Sequence, residues 1–384
     1  MKDLYDFNSL LKRKNTDCTK WDALKRDDGR EDLMPFWVAD MDFPVLPEIS
    51  EVIRNRAAPD QTFGYTFTGH SYLQSVIGWN QRRHNLQLKE EEILPVPGVV
   101  TAMAIILMAL TQKGDRVVVN PPVYPPFYQV VERTERTLVP VPLVKRQRYE
   151  LDFEGLEREF RKGVRAYLFC SPHNPVGRVW TEQELMTLTS LCRKYHVLLI
   201  SDEIHSDIVY AGSRHTTILN CMEDAIALTA PSKTFNLAGL KSSTMLIRDA
   251  RLRGQVEGLM ETLHLYCNLF SYCAAEAAYT SGDRWVDALN RYLKENAQTV
   301  CGFLKAHLPT VSAYVPEGTY LMWLDFSQTG FTGETLQKQL VEKAGLALNA
   351  GSSFGQDYGQ FARMNIAVPE SYLLKGLEKM AAAF

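Results

Sequence analysis

Residues 166–178 read Ala-Tyr-Leu-Phe-Cys-Ser-Pro-His-Asn-Pro-Val-Gly-Arg. The first five are apolar without alternation, as in a strand buried on both faces, and the rest is turn chemistry. A helix is predicted next, over Thr181–Tyr195, with Leu185, Leu188, Cys192 and Tyr195 along one stripe. Thr181 and Glu184 form a capping box there, satisfying the first turn's free amides. Val197-Leu-Leu-Ile200 is again an unbroken apolar run. Strand, turn, helix and strand in that order predict a parallel pairing covered on both sides.

Outward from this unit the same short runs recur: Arg116–Val119, Ala225–Thr229 and Thr244–Ile247. Upstream, helices fit Pro47 to about Ala57, with Ile49, Val52 and Ile53 on one face, and His70 to about Arg83. The first 45 or so residues read as irregular and end in the loop Pro35-Phe-Trp-Val-Ala-Asp-Met-Asp-Phe-Pro44. Beyond about Arg284 the texture changes to a long helix, Trp285–Leu308, an alternating segment, Tyr320–Phe326, and a closing helix from about Glu370. The expected fold is α/β, a mostly parallel central sheet with helices on both faces, plus a smaller α+β domain. The expected division is a large domain over 47–284 and a small one built from 1–46 and 285–384.

At about 150 residues per domain, 384 residues predict two to three domains. An apolar content of 46% with 23% charged residues excludes disordered, collagenous and coiled-coil classes. A net charge of −3 gives nucleic acid nothing to be drawn to. The 7 cysteines are odd in number, scattered, and contain no Cys-x-x-Cys, which argues against a disulfide framework or a structural zinc site and for a reducing, cytoplasmic setting. The opening residues show no signal-peptide pattern. The longest apolar run, Val99–Leu110, is interrupted by Thr101 and is too short to span a bilayer.

Open α/β sheets bind ligands beyond the carboxyl ends of their strands. Four strand ends offer Asn174, Asp202 with His205, Ser232 with Lys233, and Tyr124. Upstream, Pro97-Gly98-Val-Val-Thr101 opens the apolar helix Ala102–Leu110, and a glycine-led helix N-terminus is a ready anion site. An amine, an acid, an aromatic face and a phosphate cup together suit pyridoxal 5'-phosphate.

The chain resembles the fold-type-I pyridoxal-phosphate enzymes of the aminotransferase class I/II family, over nearly its whole length. Within them it resembles the carbon–sulfur lyase branch, the cystathionine β-lyases and cysteine desulfhydrases. The matching pieces are Trp37–Pro44, Asn174-Pro-Val-Gly-Arg-Val-Trp180, Ser201-Asp-Glu-Ile-His205 and Pro316-Glu-Gly-Thr-Tyr-Leu321. The resemblance implies that Lys233 is the Schiff-base lysine and moves the proton at Cα. It implies that Asp202 pairs with the pyridine nitrogen, that Asn174 donates to the phenolic oxygen, and that Tyr124 stacks on the ring. Backbone amides of Val99 and Val100, with Ser232 and Lys241, would hold the phosphate. The serine the family often places three residues before the lysine is Ala230 here, so one phosphate contact is missing or supplied elsewhere. His205 stands where many aminotransferases have tyrosine. Arg363, Asn174, Tyr65 and Ala39 are implied substrate contacts. Tyr65 further matches a position that reaches the neighbouring subunit's phosphate, implying a homodimer with sites at its interface.

Gly351-Ser-Ser-Phe-Gly355 fits a nucleophile elbow, but that chemistry needs a later histidine and the last is His307. Asp202, Glu203, His205 and Asp207 superficially suggest metal ligands, yet a strand splits neighbours between two faces, so no metal is expected. The expected activity is therefore a β-lyase cleaving L-cystathionine or cysteine-type substrates to pyruvate, ammonia and a thiol, homocysteine or sulfide. An aminotransferase on the same scaffold is the near alternative. A non-catalytic, cofactor-sensing regulatory protein is the alternative of another class.

Overall fold

The computed structural model describes residues 5–384; residues 1–4, where the first expected segment begins, lie outside it. Seven strands form the central sheet: β1 (Ile93–Val96), β2 (Arg116–Val119), β3 (Thr137–Pro140), β4 (Val164–Cys170), β5 (Leu198–Asp202), β6 (Ile226–Thr229) and β7 (Ser243–Ile247). Their spatial order is β1-β7-β6-β5-β4-β2-β3. The pairs from β6 to β3 are parallel, and β7 runs antiparallel to both of its neighbours. The sheet is thus mostly parallel, as the unbroken apolar runs predict.

Side chains along these strands alternate between two cores. Val118, Tyr167, Phe169, Leu199 and Ala227 enter one, and Val117, Leu168, Cys170, Ile200 and Leu228 enter the other. That is why the runs show no polar alternation: each strand has an apolar layer on both sides. Helices Val99–Leu110, Pro126–Arg133 and Ala250–Thr262 close one face. Helices His70–His84, Glu182–Tyr195, Leu269–Ser281 and Asp283–His307 close the other. The capping box forms as expected, Thr181 Oγ1 accepting from Glu184 N at 3.2 Å and Glu184 Oε2 from Thr181 N at 2.7 Å.

A second, antiparallel sheet of order β8-β10-β9 comprises β8 (Leu321–Asp325), β9 (Asn349–Ala350) and β10 (Phe361–Asn365). The segment Tyr320–Phe326, which alternates in sequence, is buried on both faces except near Asp325. Asn296 of the long helix ties this sheet down, donating to Ile366 O at 2.8 Å and Val368 O at 2.9 Å. Met34–Pro35 pairs in parallel with Leu346–Ala347, so an N-terminal segment is stitched to a C-terminal one.

Three expectations are corrected. The N-terminal residues are not irregular throughout: Thr19–Asp28 is a helix. Its sequence is polar and its stability comes from tertiary contacts. Buried Lys20 pairs with buried Asp42 at 2.7 Å, and Trp21 Nε1 donates to the same carboxylate at 2.9 Å. The helix expected from Ala102 begins at Val99, with Gly98 at φ 109° as its N-cap. Edge strands β1 and β3, unpredicted, complete the sheet.

Candidate active site

The carboxyl ends of β2, β4, β5 and β6 and the N-terminus of Val99–Leu110 converge on a cavity of about 190 Å³. β1 ends at the same edge because it runs parallel to β6, and β7 begins there because it runs antiparallel. That reversal brings Ser242 and Ser243 to the cavity wall, which strand-end reasoning misses.

Lys233 sits in the single helical turn Pro231–Thr234 directly after β6. Its Nζ donates to Ala39 O at 2.6 Å. Burial and the nearby Arg363 guanidinium lower its pKa to about 8, against the opposing pull of Asp40 and Asp202. Asp202 closes β5, its Oδ1 accepting from Ile204 N at 3.1 Å. Burial raises its pKa to about 7, with Lys233 acting the other way. A cation brought against this carboxyl would favour its ionised form.

Asn174 is buried, and its Oδ1 accepts from Arg363 Nη1 at 3.0 Å, leaving the amide N–H₂ as its free donor. Arg363 lies on β10, against Trp37 O at 2.9 Å, Asn349 Oδ1 at 2.6 Å and the Phe354 ring at 5.0 Å. Among the described residues its Nε has no partner, and burial lowers its pKa to about 10. The guanidinium meets the cavity through Asn174, which lines it. Phe354 belongs to the Gly351–Phe354 turn, where Ser353 Oγ donates to Ala350 O, so the elbow-like motif is structural support.

Tyr124 and His205 line the cavity. Burial raises the Tyr124 hydroxyl. His205 packs edge-on to Tyr320 at 5.8 Å with Nδ1 unpartnered among the described residues, and burial followed by Lys233 and Arg363 holds it neutral. Its sequence neighbours face elsewhere: Glu203 meets His215 at 3.2 Å and Asp207 meets His84 at 2.9 Å.

At the helix start, Val99, Val100 and Thr101 lie in the first turn, whose amides have no intrahelical acceptor. Buried Ser232 and Lys241, at φ 56°, line the same cavity. Ala39 is present, but its carbonyl is engaged by Lys233 and by Tyr320 Oη at 3.0 Å. Tyr65, like Arg363, is an expected site residue that does not line this cavity: it is wholly exposed, between exposed Phe63 and Phe67.

An amine, a buried carboxyl, an amide donor, an aromatic face and an amide-rich anion cup fit pyridoxal 5'-phosphate group by group. Ser242 and Ser243 line the same cavity and add two hydroxyls to it.

Comparison with known proteins agrees. The family model for aminotransferase class I and II matches residues 31–380. The chain is 37% identical to cystathionine beta-lyase PatB of Bacillus subtilis, covering 98% of this chain and 99% of that protein. It is 33% identical to protein MalY of Escherichia coli, covering 97% of each. Cystalysin from Treponema denticola, solved with pyridoxal 5'-phosphate, superposes with a TM-score of 0.95 at 32% identity over 99% of this chain and 98% of that one. The C-S lyase of Staphylococcus hominis superposes with a TM-score of 0.92 at 30% identity, over 99% and 98%. This chain belongs to the aminotransferase class I and II family.

Proposed function

We propose that the protein is a pyridoxal-phosphate-dependent carbon–sulfur β-lyase, acting on L-cystathionine or a cysteine-type substrate. The observation that carries this reading is Lys233, an amine with a pKa near 8 in the same cavity as a carboxyl near 7. The relatives named as cystathionine β-lyase and C-S lyase direct it toward sulfur.

When bound, the cofactor supplies a carbonyl to link with amines and an electron-withdrawing ring. Lys233 would hold it and, once displaced by the substrate amine, take the proton from Cα. Asp202 would pair with the ring nitrogen, and the cation would return that carboxyl to its ionised state. Val99 and Val100 amides, Ser232 and Lys241 would hold the phosphate. Asn174 would donate to the phenolic oxygen, with Tyr124 against the ring face and neutral His205 nearby. Arg363 would clamp the substrate carboxylate as a two-pronged donor, beside Ala39. The Cβ–S bond breaks with its electron pair going to sulfur. The three-carbon remainder takes up water to give pyruvate and ammonia.

The same reading makes the protein a cytoplasmic homodimer, with Tyr65 of each subunit completing its partner's phosphate site. The exposure of Phe63, Tyr65 and Phe67 on one loop supports this. It also divides the chain into 47–284 and the joined segments 1–46 and 285–384. Among the described residues, no helix is long and apolar enough to cross a membrane.

The test is pyruvate release from L-cystathionine by purified, cofactor-loaded protein. Pyruvate with an equal amount of homocysteine is expected. No pyruvate from any sulfur amino acid, with an added keto acid converted to its amino acid instead, would make it an aminotransferase.

A further inference from the structure

Residues 38–40 form a tight turn in which Asp40 N donates to Val38 O at 2.9 Å. Asn365, at the end of β10, donates through Nδ2 to both outer carbonyls, Val38 O at 2.7 Å and Asp40 O at 2.6 Å. Asn236, three residues past Lys233, fixes the next residue by accepting from Met41 N at 2.9 Å and donating to Met41 O at 2.8 Å. Arg13 holds the Asp40 side chain at 2.7 Å. The central carbonyl of Ala39 is left to face the cavity, and it receives two donors: Tyr320 Oη at 3.0 Å and Lys233 Nζ at 2.6 Å.

We propose that Tyr320 is a positioning residue for Lys233, acting through the Ala39 carbonyl to favour the unprotonated amine. This rests on the reading of Lys233 as the catalytic amine. A carbonyl oxygen has two acceptor sites, so both bonds coexist. They compete for the same electron density, however. A hydroxyl donating to that oxygen weakens it as an acceptor, and the ammonium form depends on that acceptor more than the amine does.

Tyr320 is suited to the task. It is fully buried, and burial with Asp40 raises its hydroxyl pKa, so it stays a donor. Edge packing against His205 fixes its ring. Around Lys233, burial first, then Arg363 and Lys241 oppose a charged amine, while Asp40 and Asp202 favour it. His205 is neutral.

The test is Tyr320→Phe, which keeps the ring and removes only the hydroxyl. A single bond of this kind is worth about half to one pH unit on Lys233. In the cofactor-loaded enzyme Lys233 is a free amine only after the substrate has displaced it, so the acid limb of kcat moves up by that amount, with KM for the sulfur amino acid unchanged. In cofactor-free protein, the rate of pyridoxal phosphate capture follows unprotonated Lys233. It falls about three- to ten-fold at pH 7 and returns to the wild-type rate near pH 10. Incorporating 3-fluorotyrosine at position 320, a stronger donor, moves both profiles the opposite way. Rates lowered equally at every pH, or profiles that do not move in either variant, overturn the proposal. Failure of wild-type protein to capture the cofactor through Lys233 at any pH overturns the underlying reading as well.

Discussion

Replacing Lys233 with methionine should stabilise the cofactor-free protein while abolishing activity. The amine is held near 8 against an ordinary 10.5. The folded protein therefore binds that proton more weakly than the unfolded chain does. Below pH 8 both states carry the proton and the penalty on folding is fully present. It is relieved as pH rises from 8 to 10.5 and is absent above. The gap sets a ceiling of about 3 kcal/mol. Lys233 keeps some solvent contact, and its bond to Ala39 O is worth about 1 kcal/mol, so the net gain is about 1–2 kcal/mol. Ala39 O keeps its Tyr320 donor, so the variant strands no acceptor. Unfolding entropy for 384 residues is about 0.8 kcal/mol/K, so Tm at pH 7 should rise by about 1–3 °C. Thermal melts of cofactor-free Lys233→Met and wild type from pH 6.5 to 10.5 test this, with the two curves converging at the alkaline end. A variant no more stable than wild type at pH 7, or a difference that does not shrink with rising pH, would refute the reasoning.

Asp202→Asn should lower kcat by about 10² or more with a small change in KM, read by pyruvate release. In cofactor-free protein Asp202 is raised from 3.8 to about 7, so its contribution to stability is full below pH 3.8 and lost as pH rises through 7; that slope should vanish in the variant. Arg363→Lys should raise KM about 10- to 100-fold through loss of the two-pronged clamp, with kcat changed less, read from substrate-saturation curves. Gly177→Ala should destabilise by about 2–4 kcal/mol in urea denaturation. Gly177 sits at φ 64°, and an added Cβ would lie 2.3 Å from Pro316 Cβ, separating the Asn174 loop from the loop before Tyr320.

The interior strands were legible because burial on both faces leaves an unbroken apolar signature. Arg116–Val119 is found with those bounds, and the strand read from Ala166 starts two residues earlier, at Val164. The edge strands were not, because Ile93–Val96 and Thr137–Pro140 carry prolines at positions 95 and 140, which an edge tolerates and a pattern reader rejects. Strand direction leaves no trace in periodicity, so the reversal at β7, and with it Ser242 and Ser243, was invisible. The helix Thr19–Asp28 was hidden because Lys20 is buried by Asp42, a partner 22 residues away.

The candidate site divides in the same way. Lys233, Asp202, Asn174, His205 and Tyr124 follow strand ends, where sheet geometry gathers them whatever the rest of the chain does. Tyr320, Asn236 and Asn365 work through the backbone carbonyls of residues 38–43. No spacing rule links a side chain to a carbonyl 281 or 325 residues away.

The most direct measurement of the central claim is pyruvate formation from L-cystathionine, with wild-type protein and Lys233→Ala run side by side with pyridoxal phosphate present. The account predicts stoichiometric pyruvate and homocysteine from wild type and none above background from the variant. Pyruvate at equal rates from both, or none from wild type with any sulfur amino acid, would contradict it.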